Sequence, residues 1–94
     1  MVVSSLLGMF GGKEQQVKLL VKNELANVII DRFGKDIMII PADREHFTTN
    51  VTVRVSGHFF GWIMSLGEGV KIVGPDEVVE QMKAEIERLK KQYM

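Results

Sequence analysis

Residues 47–55 alternate strictly between two kinds of side chain, and this run constrains the fold more than any other feature of the sequence. One set of positions is largely apolar: Phe47, Thr49, Val51, Val53 and Val55. The positions between them are polar: Thr48, Asn50, Thr52 and Arg54. A period of two residues is typical of a β-strand with one face buried and the other in solvent. The sequence therefore predicts a strand that lies against a core supplied by the rest of the chain.

Three other segments are predicted to be strands. In residues 16–22, Val17, Leu19 and Val21 alternate with lysines, and only Leu20 interrupts the polar side. Residues 37–40 form a short, wholly apolar run that Pro41 ends, and residues 42–46 then read as a hairpin loop. Residues 70–73 form the fourth strand.

Three helices complete the pattern. The first is predicted from Asn23, as its N-cap, to Phe33, with Gly34 as the stop. The second covers residues 58–66, is capped by Ser56 and is closed by Gly67. The third begins at Pro75 and carries an apolar stripe as far as Tyr93.

The predicted element order is β-α-β-β-α-β followed by a terminal helix. Two right-handed β-α-β crossovers in this order predict an α+β fold of the ferredoxin-like kind. Such a fold has a four-stranded antiparallel sheet with two helices on one face, and here it has an additional C-terminal helix. We expect residues 1–15 to be a lead-in and residues 16–94 to form a single domain, a size that can fold unaided.

Composition offers little support for catalysis. The chain has no cysteine and only two histidines, His46 and His58, neither of which has a second histidine or a carboxylate at ligand spacing. We therefore expect no enzyme activity, no catalytic residue, no metal and no cofactor. Trp62 is expected to pack into the core rather than to line a ligand cage. The apolar start of the chain lacks a basic n-region and is too short to span a bilayer, so we expect a cytoplasmic protein without membrane contact.

The face of the predicted sheet that points away from the helices is the candidate binding surface. It would carry Lys18, Lys22, Asn50 and Arg54, and also Lys71 if the strand register allows. Twelve basic and twelve acidic residues cancel, so any attraction for anions must be local. The two central strands also lack the stacking aromatic residues of RNA-recognition modules with this topology. An anion or nucleic-acid platform and an ordinary solvated face, or one covered by a partner, both remain open.

The placed residues resemble a known bacterial domain. The resemblance rests on Gly8–Met9–Phe10, the strand at residues 17–21, residues 51–55, and above all the run from Trp62 to Pro75. These features are similar to WCX, the C-terminal extension of WYL-domain transcription regulators. In that family a winged helix-turn-helix domain binds the promoter and a WYL domain senses an effector, in some members a nucleic acid. The WCX domain contributes to dimer assembly and effector response.

The resemblance implies a non-catalytic, C-terminal regulatory and dimerisation domain of a bacterial transcription regulator. The implied partners are a second copy of the chain, the helix-turn-helix and WYL domains that this sequence does not contain, and a nucleic-acid or small-molecule effector. The alternative function is a single-stranded nucleic-acid or anion contact module. It would act through Lys18, Lys22, Asn50 and Arg54.

Overall fold

Strand β1 (Glu14–Lys22) is a central strand of a four-stranded antiparallel sheet in the computed structural model, which describes residues 14–94. On one side it pairs with β3 (His46–Arg54) along its whole length, from Glu14 opposite Arg54 to Lys22 opposite His46. On the other side it pairs with β4 (Val70–Gly74). The short strand β2 (Ile40–Pro41) lies outside β3, so the spatial order is β2-β3-β1-β4.

Three α-helices connect or follow these strands: α1 (Ala26–Phe33), α2 (Gly57–Ser65) and α3 (Asp76–Gln92). Short 3₁₀ turns precede α1 at Asn23–Leu25 and β4 at Gly67–Gly69. The predicted α+β class, the four-stranded antiparallel sheet and the C-terminal helix are therefore confirmed. None of the helices within residues 14–94 is both long enough and apolar enough to cross a membrane.

The core lies between one face of the sheet and the three helices. The alternation predicted for β1 and β3 is confirmed. Residues directly opposite each other on the two strands share a face of the sheet, and the apolar side chains of both strands lie on the buried face. The sheet contributes Val17, Leu19, Val21, Phe47, Thr49, Val51, Val70 and Ile72 to this core, and the helices contribute Ile29, Phe59, Phe60, Ile63 and Val78.

The second strand is much shorter than predicted. Only Ile40 and Pro41 pair with β3, and Met38 before them is 70% exposed, so the prediction of a strand over residues 37–40 is wrong in its extent. An apolar run signals burial only when a neighbour covers it. This run lies at the sheet edge, and Pro41 has no N–H with which to extend the ladder.

The start of α1 also differs from the prediction. Asn23 does not act as the N-cap, because its side-chain Nδ2 donates to the carbonyl of Arg44 (3.0 Å) and its backbone N–H donates to the carbonyl of Glu45 (2.8 Å). These long-range bonds hold residues 23–25 in a 3₁₀ turn, and α1 begins at Ala26 without a side-chain cap. Gly34 ends the helix as predicted, with φ of 96°.

Local signals placed α2 correctly. Ser56 Oγ accepts a hydrogen bond from the Phe59 N–H at 3.4 Å, and Gly67 follows the helix with φ of 61°, a left-handed conformation that glycine tolerates best. Strand β1 begins at Glu14, so the end of the predicted lead-in belongs to the sheet. The rest of the lead-in, including Gly8–Met9–Phe10 of the family resemblance, lies outside the described residues.

Candidate functional site

The side of the sheet that faces away from the helices is the surface on which the sequence placed its candidate site. We call it the open face. Its side chains are Glu14, Gln16, Lys18, Leu20 and Lys22 from β1, His46, Thr48, Asn50, Thr52 and Arg54 from β3, and Lys71 from β4. Lys18, Asn50 and Lys71 are exposed, and Leu20 and Thr48 are half-buried.

Three lysines surround Leu20 on the open face. Lys18 and Lys22 lie two positions before and after it on β1, and Lys71 lies directly opposite it on β4. Directly opposed residues of an antiparallel pair have Cβ atoms about 5 Å apart, and second neighbours along a strand are about 7 Å apart. None of the three lysines forms an ion pair within the described part of the chain. The register therefore brings together three free cations around one apolar side chain.

The other two candidate residues occupy different positions. Asn50 lies directly opposite Lys18, so its amide can share a ligand with that ammonium group. Arg54 lies four residues further along β3, roughly 13 Å away, and directly opposite Glu14. The structure thus groups Lys18, Lys22 and Asn50 with Lys71 and leaves Arg54 at the far end of the sheet.

His46 lies at the opposite end of the open face, across from Lys22. Its Nδ1 donates to Asp43 Oδ1 at 2.9 Å, a contact made across the exposed turn and not along one face of a helix or strand. The tight β2–β3 turn brings the two residues together. The hydrogen bond from His46, reinforced by the backbone N–H of Glu45, holds the pKa of Asp43 below its ordinary value of 3.8.

Neither histidine belongs to a larger chemical cluster in the part of the chain that the structure describes. Across residues 14–94, no three His, Cys, Asp or Glu side chains come close enough together to hold a metal ion. His58 is exposed in the first turn of α2. Trp62 packs edge-on against Phe33, with ring centroids 5.5 Å apart, and the Arg32 guanidinium lies 5.2 Å from the Trp62 ring centre. It packs against the core, as predicted.

A second concave surface was not anticipated from the sequence. A half-open groove of about 310 Å³ lies between the end of α2, strand β4 and helix α3, and we call it the edge groove. Its walls are mainly apolar, with Met64 from α2, Val70 and Ile72 from β4, and Met82 and Ile86 from α3. Lys71 and Lys83 also line it. The sequence predicted the apolar stripe of α3. Which residues of that stripe stay exposed depends on how α3 packs against β4, and the stripe itself does not show this.

Comparison with known proteins gives the family. The family model of the WCX domain matches residues 13–90, which is most of the chain and includes every strand described above. A search of curated proteins found no match. The chain belongs to the WCX domain family, which is associated with transcription regulators.

Proposed function

We propose that this chain is a non-catalytic, C-terminal regulatory domain of a bacterial WYL-type transcription regulator. In this role it contributes to dimer assembly and to the response to an effector in the cytoplasm. The observation that carries the proposal is the WCX family match over residues 13–90. The expected partners are a second copy of the chain and the helix-turn-helix and WYL domains of the same regulator.

We further propose that the domain is a variant of the ferredoxin-like plan. Support comes from β1, which pairs with both β3 and β4, and from the helices, whose buried residues pack against the same sheet face. The third helix and the very short β2 are the departures from the simplest form of that plan.

Uncovered apolar side chains support the assembly role. Met38, Ile39 and Ile40 are 70%, 43% and 46% exposed at the β2 edge of the sheet, and Tyr93 is 81% exposed at the end of α3. Contiguous apolar patches on a protein surface commonly mark contacts with other macromolecules. A partner that covered either place would remove this surface from water.

The assembly role is tested by sedimentation equilibrium of the chain over a wide concentration range. We expect a concentration-dependent shift from monomer to dimer. If the β2 edge forms the dimer contact, Met38→Gln should weaken dimerisation. A chain that stays monomeric at the highest concentration, with no thermal shift on adding oligonucleotides or nucleotides, would refute the proposed role. A WYL domain encoded in frame upstream would provide independent support.

The second candidate function is contact with single-stranded nucleic acid or another polyanion through the open face. The specific observation in its favour is the group of three lysines, Lys18, Lys22 and Lys71, around Leu20 with Asn50 beside them. Binding by phosphate neutralisation loses affinity as salt rises, with a slope set by the number of phosphates neutralised.

This second function is tested by fluorescence anisotropy with a labelled single-stranded oligonucleotide at several salt concentrations. The Lys18→Glu/Lys22→Glu variant should lose the salt-dependent binding, whereas Lys35→Glu/Lys90→Glu, an equal charge change at exposed positions outside the sheet, should reduce it less. Arg54→Glu alone should have a smaller effect, because it changes one charge at the far end of the sheet from the lysine group. No binding by the unmodified chain at low salt would exclude the function for this domain.

A further inference from the structure

The edge groove is apolar surface that the fold leaves uncovered. Val78, at the start of α3, is fully buried, but two turns later Ile86 on the same helix is 49% exposed. Helix α3 has 17 residues and is about 25 Å long, whereas the five residues of β4 extend about 17 Å. The helix therefore runs past the strand it packs on. Its apolar stripe continues from the buried Val78 to Met82 and Ile86, which form one wall of the groove.

The charges at the groove all have one sign. Lys71 on the β4 wall and Lys83 on the α3 wall are its only charged lining residues, and no carboxylate lines it among the residues described. Lys71 has no ion-pair partner within the described chain. Lys83 contacts Glu80 at 3.2 Å, but both side chains are about two-thirds exposed, so water screens this pair and it is easily exchanged. An occupant that matches the groove therefore has an apolar body and a negative head.

The size of the groove favours a small molecule over a protein segment. Its volume of about 310 Å³ lies at the lower end of the range of roughly 300–1,000 Å³ typical of small-molecule sites. A stable protein interface covers about 800 Å² on each partner, which is far more than three short walls provide. A second copy of the chain would also bring its own Lys83 towards these lysines.

We propose that the edge groove binds a free aliphatic monocarboxylate, of the short- to medium-chain fatty-acid class. The hydrocarbon tail lies against Met64, Met82 and Ile86, and the carboxylate pairs with Lys71 and Lys83. The site shares Lys71, on the edge strand β4, with the open-face group, but its apolar walls lie on the helix side of the sheet, and it does not depend on the regulatory role. A bound ligand would contact α3, β4 and the end of α2 at once, because these elements form the walls of the groove.

The first test is isothermal titration calorimetry of the chain with octanoate, hexanoate and octyltrimethylammonium, each below its micelle concentration. Each buried methylene contributes about 0.8 kcal/mol, so octanoate should bind roughly fifteen-fold more tightly than hexanoate. Octyltrimethylammonium has the same tail and the opposite charge, and it should not bind measurably. Equal binding of the two octyl compounds, or no binding of octanoate, would overturn the proposal.

The second test uses variants at exposed positions, which leave the core intact. Lys71→Gln/Lys83→Gln should weaken octanoate binding at least tenfold, and Ile86→Asp should abolish it by placing a carboxylate beside the ligand's own. The matched control Lys35→Gln/Arg44→Gln removes the same charge elsewhere and should bind like the unmodified chain. If Ile86→Asp instead converts a dimer to a monomer while octanoate binds neither form, a second copy occupies the groove and the proposal is wrong. Failure of the unmodified chain to dimerise, with octanoate still bound, would count against the proposed assembly role and leave this site standing.

Discussion

Replacing Leu19 and Leu20 separately by alanine tests the face assignment of β1 on which the open face depends. The two residues are adjacent and chemically identical, but the register places them on opposite faces of β1. Leu19 is fully buried, opposite Thr49 on β3 and Ile72 on β4. Leu20 is half-buried on the open face, opposite Thr48 and Lys71. Only their places in the fold distinguish them.

The expected costs follow from that difference. A fully buried leucine on a central strand leaves a cavity when it is truncated, and Leu19→Ala should lower the free energy of unfolding by about 3–4 kcal/mol. Truncation of the half-buried Leu20 removes less apolar contact and creates no closed cavity, so Leu20→Ala should cost about 1 kcal/mol or less. A domain of this length has a total stability of roughly 5–14 kcal/mol, so the Leu19 variant loses a large fraction of it.

Urea denaturation followed by far-UV circular dichroism and by the fluorescence of Trp62, the only tryptophan, measures both costs. With a slope of about 1.5 kcal/mol/M, Leu19→Ala should lower the midpoint by roughly 2 M and Leu20→Ala by well under 1 M. The two probes should give coincident transitions. Equal costs for the two variants would mean that the open face is covered, and the reasoning for the open face as a binding surface would fail.

Three further predictions follow from individual residues. The Thr49 hydroxyl is buried without a hydrogen-bond partner in the described structure. Thr49→Val should therefore raise the free energy of unfolding, measured by urea titration, by about 1 kcal/mol. A lower free energy of unfolding would mean that the hydroxyl has a hydrogen-bond partner. Gly67→Ala should lower the melting temperature, at a cost of about 1 kcal/mol, because the backbone φ at Gly67 is 61°. The control Gly61→Ala should raise the melting temperature, because Gly61 lies in the interior of α2 and the added Cβ meets open space. The His46 hydrogen bond lowers the pKa of Asp43 in the folded state, so its contribution to stability is present above the unfolded value of 3.8 and is lost as pH falls through the lower folded value. Asp43→Asn removes this contribution, so the melting temperature should fall less steeply as the pH is lowered below 3.8. An equally steep fall would contradict the assignment of this contribution to Asp43.

Much of the fold could be predicted from the sequence because its signals are local. Strict alternation in β1 and β3 was enough to separate buried from exposed side chains, since a strand's side chains point to alternate faces whatever its partner is. Ser56, Gly34 and Gly67 marked helix ends correctly, because a cap or a left-handed residue acts within a few residues of itself. The Trp62–Pro75 run identified the family that the model match then showed.

The candidate site could be predicted only in part. The lysines of β1 were placed on the correct face by alternation alone, but their neighbours depend on register. That register added Lys71 to the group and set Arg54 beside Glu14. Register is determined by contacts between segments that are far apart in the chain. A local sequence pattern therefore does not show which residue of the neighbouring strand lies opposite a given residue.

The remaining differences have the same origin. Local signals in residues 14–94 specified strands, helices and faces, because those depend on side-chain periodicity and backbone preference. Tertiary contacts set the length of β2, which had no second neighbour to extend it, and the start of α1, where Asn23 bonds to the distant Arg44 carbonyl. They also formed the edge groove, because its apolar walls come from α2, β4 and α3 and meet only once these three elements are in place.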